Sequence, residues 1–225
     1  MENKAAKTRS IDMAFKVDAE LLKRLTAILS EAGDSLEYTA KFSDGSTVQY
    51  SRIEEVIDQP NSARRAISSL IAEVAGEGKS AFVILRRNAA PSVEYTVNGP
   101  QRDVLYLADK LDDWISTVSQ WYSPFISKLQ LIPVVIALVL PFVVASILKR
   151  YYPSKVGLQS WFPIFGLVLT SIAEYWAFKL FPRGTFATGD GLRRAQRLHL
   201  FGVSVVLAFA VSFVAGVLAN WVMPH

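Results

Sequence analysis

The chain has 225 residues, a formal net charge of +4 and no cysteine, which excludes disulfides, thiolate catalysis and cysteine-metal sites together. The charge is uneven: residues 1–128 hold 16 Lys/Arg and 18 Asp/Glu, and residues 129–225 hold 8 and 2. A mildly acidic first part argues against nucleic acid as a partner, while a basic second part suits segments that flank a membrane.

The opening MENKAAKTRS is polar and lacks the apolar core of a secretory signal. A disordered tail is expected over residues 1–10, ahead of a soluble α+β domain over residues 11–121. Asp18 fits the N-cap of a helix through about Ala32, with Leu21, Leu22, Leu25, Ile28 and Leu29 on one stripe and Gly33 as the stop. In LEYTAKF, Leu36, Tyr38, Ala40 and Phe42 alternate with polar residues, as in a strand with one buried face. Asp44-Gly45 turns the chain and residues 47–50 return. Ser51 and Glu54 stand in capping-box spacing for a short helix that ends before Pro60.

Residues 64–75 fit a helix by period, but GEGK followed by AFVILRR predicts a hairpin, because a tight turn needs a strand on each side. Residues 81–87 and 93–97 continue the sheet. A last helix is predicted from about Gln101 to Trp121, with Val104, Leu105, Leu107, Leu111, Trp114, Ile115 and Val118 along its apolar side. The expected order is helix, β-hairpin, helix, three-stranded β segment, helix.

Three features of this part resemble sites. Gly76-Glu77-Gly78-Lys79-Ser80 has the tail of a phosphate loop, but the spacing needs glycine at 73, where Glu73 stands, and a helix afterwards. Glu54-Glu55 and Asp112-Asp113 are neighbours on helices, so each pair diverges and reads as a solvated face. Arg64-Arg65 and Arg86-Arg87 fall at the open ends of the hairpin. There they could together hold a small anionic ligand, an anionic lipid surface or an acidic protein, or each could pair locally with a carboxylate.

Residues 122–128 read as an interfacial linker, rich in aromatics and ending in Lys128. The membrane part is expected over residues 129–225, all-α, with three transmembrane helices near 129–149, 161–181 and 199–222. The first contains LIPVVIALVLPFVVASIL, which with its flank is about 20 residues long, enough to cross roughly 30 Å of hydrocarbon. Pro141 would kink it. In the second, Glu174 would lie about 10 Å deep at 1.5 Å per residue, either in a local contact or facing a polar path or subunit contact, and Lys179 would snorkel. The third repeats Ser204, Ala208, Ser212, Gly216 and Asn220 every four residues, a pattern that lets helices approach closely and suggests a homo-oligomer. Asp190 fits an N-cap before it, with Arg193, Arg194 and Arg197 near anionic headgroups, and TGDG reads as a turn or an anion nest.

The loop at 149–160 carries three positive residues, and that at 182–198 carries four, with Lys128 on the same side. The positive-inside rule therefore places the soluble domain in the cytoplasm and His225 outside the cell membrane. The usual catalytic signatures are absent, so no enzyme, cofactor or metal is expected. The expected function is a membrane effector or ion pore whose cytosolic domain senses a ligand or partner; a bacterial stress or antiphage role is architectural analogy alone. The alternative is a non-conducting anchor or scaffold.

Overall fold

The structure is a computed structural model that describes residues 4–62, 64–126, 182–191 and 193. Its frame is one six-stranded antiparallel sheet of β1 (Lys4–Ile11), β3 (Ser35–Phe42), β4 (Thr47–Tyr50), β5 (Ile67–Gly76), β6 (Lys79–Arg86) and β7 (Val93–Pro100), in the order β1-β7-β6-β5-β3-β4. Strand β2 (Phe15–Asp18) stands apart and pairs in parallel with β8 (Gly184–Ala187). Helices α1 (Ala19–Ser30), α2 (Ile53–Ile57) and α3 (Gln101–Val118) pack against the large sheet.

Alternation decides which face the helices cover. Tyr38, Ala40 and Phe42 of β3, Leu70, Ala72 and Val74 of β5, Ala81, Val83 and Leu85 of β6, and Val93, Tyr95 and Val97 of β7 are all buried. They join Leu22, Leu25 and Leu29 of α1 and the stripe from Val104 to Val118 of α3 in one core. Each large apolar side chain buried this way contributes about 1.5–3 kcal/mol. On the other face, Ile71, Phe82 and Ile84 are half-buried among Ser69, Glu73, Ser80 and Arg86. Asp18 caps α1 by accepting from the Leu21 amide at 2.9 Å. Beyond its end, Gly33 meets Gly76 so closely that a β-carbon on Gly33 would lie 2.6 Å from the Ala75 carbonyl oxygen.

Several expectations are corrected. The fold class is a mostly β-sheet domain with few helices, not a small α+β core of separate hairpin and three-stranded pieces. The elements at 35–50 and 67–100 share one sheet because β5 bonds β3 on one side and β6 on the other. Residues 4–10, expected as tail, lie in β1, whose eight residues pair with β7 from Lys4↔Pro100 to Ile11↔Val93. An edge strand of KAAKTRSI is polar because few of its side chains are buried, and charged edges are the usual protection against stray pairing. The short helix begins after Arg52 with no side-chain cap, so Ser51 and Glu54 form no capping box. Helix α3 stops at Val118, where Ser119 turns extended and bridges to Phe15.

The predicted transmembrane helices, with Pro141, Glu174, Lys179, Arg194, Arg197, Ser204, Ala208, Ser212, Gly216 and Asn220, lie outside the described residues. Among the described residues no helix is long and apolar enough to cross a membrane.

Candidate functional site

The described residues stop at Ile126 and resume at Pro182, and the two flanks meet in what we call the clasp, where Tyr122 lies against Pro182. The sequence reading treated residues 182–198 as a loop between spans. Instead, residues 182–191 are built into the domain. Phe186 is 3% exposed and meets the Phe15 ring edge-on, at 5.7 Å and 76°. Gly184 has no side chain because there is no room for one: a β-carbon would lie 2.5 Å from Cζ of Phe15 and 2.8 Å from Cα of Arg87. Strand β8 continues β2 in the register Phe15↔Gly184 to Asp18↔Ala187.

Backbone groups that this returning segment buries are matched one by one, as burial requires. The Phe15 amide donates to Arg183 O at 2.8 Å, and the Tyr122 hydroxyl donates to Pro182 O at 2.9 Å. Buried Asn61 closes the other side. Its Nδ2 donates to Phe186 O at 2.7 Å, while its Oδ1 accepts from the Ile67 amide at 2.9 Å. Asn61 has φ 33, a left-handed conformation that asparagine tolerates better than most residues. The outgoing segment is fixed beside it: Gln120 N donates to Ala14 O at 2.9 Å, and Ala14 N donates to Ser123 Oγ at 3.1 Å. Burial pushes the Tyr122 phenol up to about 12, so it stays a neutral donor.

Arg183 sits inside this junction with its side chain 13% exposed, facing Asp12 at 3.6 Å. Its buried Nε has no hydrogen-bond partner among the described residues. Asp12 belongs to the turn at 11–14, which Ser92 pins by accepting from Met13 N at 3.0 Å and donating to Met13 O at 2.6 Å.

The arginine pairs occupy the same end of the large sheet. The hairpin turns at Glu77-Gly78 and opens at Ser69↔Arg86, as expected. Two of the four guanidiniums, those of Arg65 and Arg86, turn to partners in opposite directions across the sheet. Arg65 packs over the Phe42 ring at 4.6 Å and faces Asp44 at 3.6 Å. Arg86 pairs with Glu94 of β7 at 2.9 Å. Arg64 is exposed and pairs with no carboxylate among the described residues. The Arg87 amide donates to Ser68 O, and its backbone lies against Gly184.

Asp190 opens the helical turn itself. Its amide donates to Pro60 O and that of Gly191 to Thr188 O, so these two donors of the TGDG run are spent on the fold rather than on an anion. Arg193 is helical and exposed.

A second polar cluster ties β1 to α3. Asp112 accepts from Tyr95 Oη at 2.7 Å and from Arg9 at 2.7 Å, with Lys7 at 3.5 Å. Burial, and then the bond to Asp112, pushes Tyr95 up to about 12. Burial alone would raise Asp112, but the bonds from Tyr95 and Arg9 outweigh it and hold the carboxyl below its ordinary value. A phenol that stays protonated beside a carboxylate that stays ionised is a fastening, not an acid/base pair. Asp113 is exposed, and among the described residues no cluster of His, Asp and Glu suits a metal ion.

Sequence reasoning missed Asp12, Asn61, Ser92, Arg183 and Phe186. Of these, only Asn61, in the turn-forming run QPNS, carried a local signal. Comparison with protein-family models, curated proteins and solved structures returns no match.

Proposed function

We propose that the chain is a multi-pass membrane protein whose sheet domain senses a ligand or partner in the cytoplasm and whose apolar stretches, in a homo-oligomer, act as a membrane effector or ion pore. The observation that carries this is the bond between Tyr122, just before residues 127–181 in the sequence, and Pro182, just after them. The sequence between contains the uncharged stretch 131–148 and a second apolar stretch at 161–181. Two crossings return a chain to the side it left, as the clasp requires, and the basic residues around residues 182–198 favour the cytoplasmic side.

Movement of the domain would reach the apolar stretches through Pro182–Gly191 and through Ser119–Ile126, which are bonded to one another. Glu174 is the residue assigned to a polar path, since an acid within an apolar stretch must be neutral, paired or facing water.

The test is ion flux through liposomes holding the purified chain, wild type beside Glu174→Gln. A flux altered by the substitution is the expected result. A chain that alkaline carbonate strips from membranes would end the membrane reading altogether. A second reading, a non-conducting scaffold, draws on the open sheet face at Ile71, Phe82 and Ile84 and on the exposed Leu105 and Tyr106 of α3. It predicts no flux in either protein and capture of a soluble partner.

A further inference from the structure

We propose that the end of the domain bearing Trp121, Arg64 and Arg65 is its bilayer-apposed face, a docking surface for anionic lipid headgroups. This rests on the membrane reading above and adds an orientation and a lipid class to it.

Connectivity comes first. All three connections to the long apolar stretches, at residues 126, 182 and 193, leave from one end of the large sheet. Pro182 is bonded to Tyr122, Arg183 to Phe15, and Gly184 lies against Arg87. The third exit follows Asp190, whose amide bonds Pro60, next to the Asn61 that holds Ile67. Arg87 in turn bonds Ser68, and Ser43 bonds Ala66. The open end of the β5–β6 hairpin and the three exits therefore form one continuous surface. The turn at Glu77-Gly78 is at the far end of the same hairpin.

Chemistry comes second. Trp121 is 68% exposed, the most exposed large apolar side chain among the described residues. Its ring stands edge-on to Tyr122 at 5.6 Å. Indole is costly in water but settles at the headgroup level, where one edge is wet and the rest apolar. At the same end of the sheet the loop after Asn61 carries Arg64 and Arg65, and arginine is the side chain suited to phosphate oxygens. Arg64 is exposed, and Arg65 holds Asp44 only at 3.6 Å in a half-exposed pair that a phosphate can exchange. Arginines that do not converge, with an exposed aromatic at the same end, fit a layer of headgroups better than one small anion.

The absence of native cysteine lets position be read directly. Single cysteines at Ser119, exposed beside Trp121, and at Glu77, exposed at the far turn, carry a fluorophore in the full chain. The chain is reconstituted into vesicles of phosphatidylcholine alone or with phosphatidylglycerol. Quenching by lipids with a nitroxide headgroup reports proximity to the surface. The expected result is strong quenching at residue 119 and little at residue 77, with spin-labelled phosphatidylglycerol favoured over spin-labelled phosphatidylcholine at residue 119. Arg64→Ser should lower that preference by up to about fivefold, the effect of one cation near an anionic surface, and Arg64→Lys should keep it.

Equal quenching at both positions in a chain that remains in the vesicles would overturn the orientation while leaving the membrane reading intact. Quenching at residue 119 without preference for the anionic lipid would overturn the lipid class and favour an acidic protein as the partner of the arginines. Failure to enter vesicles at all is failure of the membrane reading itself.

Discussion

The two sheets of this domain are assembled by opposite rules. In the large sheet, β3 to β7 are mostly neighbours in sequence as well as in space, joined by short turns such as Glu77-Gly78. In the small sheet, Phe15 finds Gly184, and the strands run parallel. Local hairpins form with little loss of chain entropy, whereas a parallel pair needs a long crossover, and here the crossover contains the rest of the domain and the apolar stretches. The large sheet needs only its own sequence to be specified. The small one records where the rest of the chain must return.

The comparison breaks most sharply at Phe186. Phe186→Ala should cost about 3–5 kcal/mol, the usual range for emptying a buried aromatic site. Leu85→Ala in the large sheet should cost about 2–5 kcal/mol. Hydrogen exchange on the full chain distinguishes two outcomes. If both substitutions lower protection in both sheets equally, the clasp and the large sheet are one cooperative unit. If Phe186→Ala exposes only β2 and β8, the clasp opens by itself, independently of the large sheet.

Gly184→Ala should cost about 1–3 kcal/mol, because its new methyl meets the Phe15 ring and Arg87 backbone. Thermal unfolding of the full chain reads this, and an unchanged melting temperature would show that β8 can shift along β2.

The cluster that ties the large sheet to α3 carries an acid-side pH dependence as well as the alkaline one that it shares with Tyr122 of the clasp. Asp112 is held below its ordinary value of 3.8, so its contribution is complete above that pH and is lost as pH falls through the folded value. Tyr95 is raised from 10.0 to about 12, so its contribution is complete below pH 10 and is lost as pH rises towards 12. Stability from this cluster should be level between those limits. Asp112→Asn should flatten the acid side when melting temperature is followed against pH.

The smallest effect is expected at Lys110, bonded to Glu31 at 2.6 Å but on the surface. Lys110→Ala should lower stability only slightly, and less in high salt. Denaturant titration in two salt concentrations is sufficient to see it.

What the sequence reveals follows the same division. Asp18 and the leucines of α1, the alternation of β3 and the stripe of α3 are legible because each signal lies within one element. The hairpin of β5 and β6 is legible because GEGK forces a turn whichever helix period precedes it. Strand β1 is illegible because its edge position leaves most of its side chains in water, where a strand and a tail have the same composition. Strand β8 is illegible because GTFA is only four residues long and its partner is at the other end of the chain. The candidate site divides likewise. Placing both arginine pairs at the open end of one hairpin follows from sequence. Their separate attachment to Asp44 and Glu94, and the arrival of Arg183 beside Asp12, follow only from how the strands are ordered.

The parallel pairing of β2 with β8 also fixes a sequence of events at the ribosome. Phe15 emerges early, but Phe186 and Asn61's partner carbonyls emerge only after the apolar stretches at 131–148 and 161–181. At about 5–20 residues per second, β2 waits on the order of ten seconds or more for its partner. Throughout that interval Phe15 and Val17 lack their final cover. Completion of the domain therefore waits on synthesis of residue 187, and a chain that stops short of it is left with an uncovered β2.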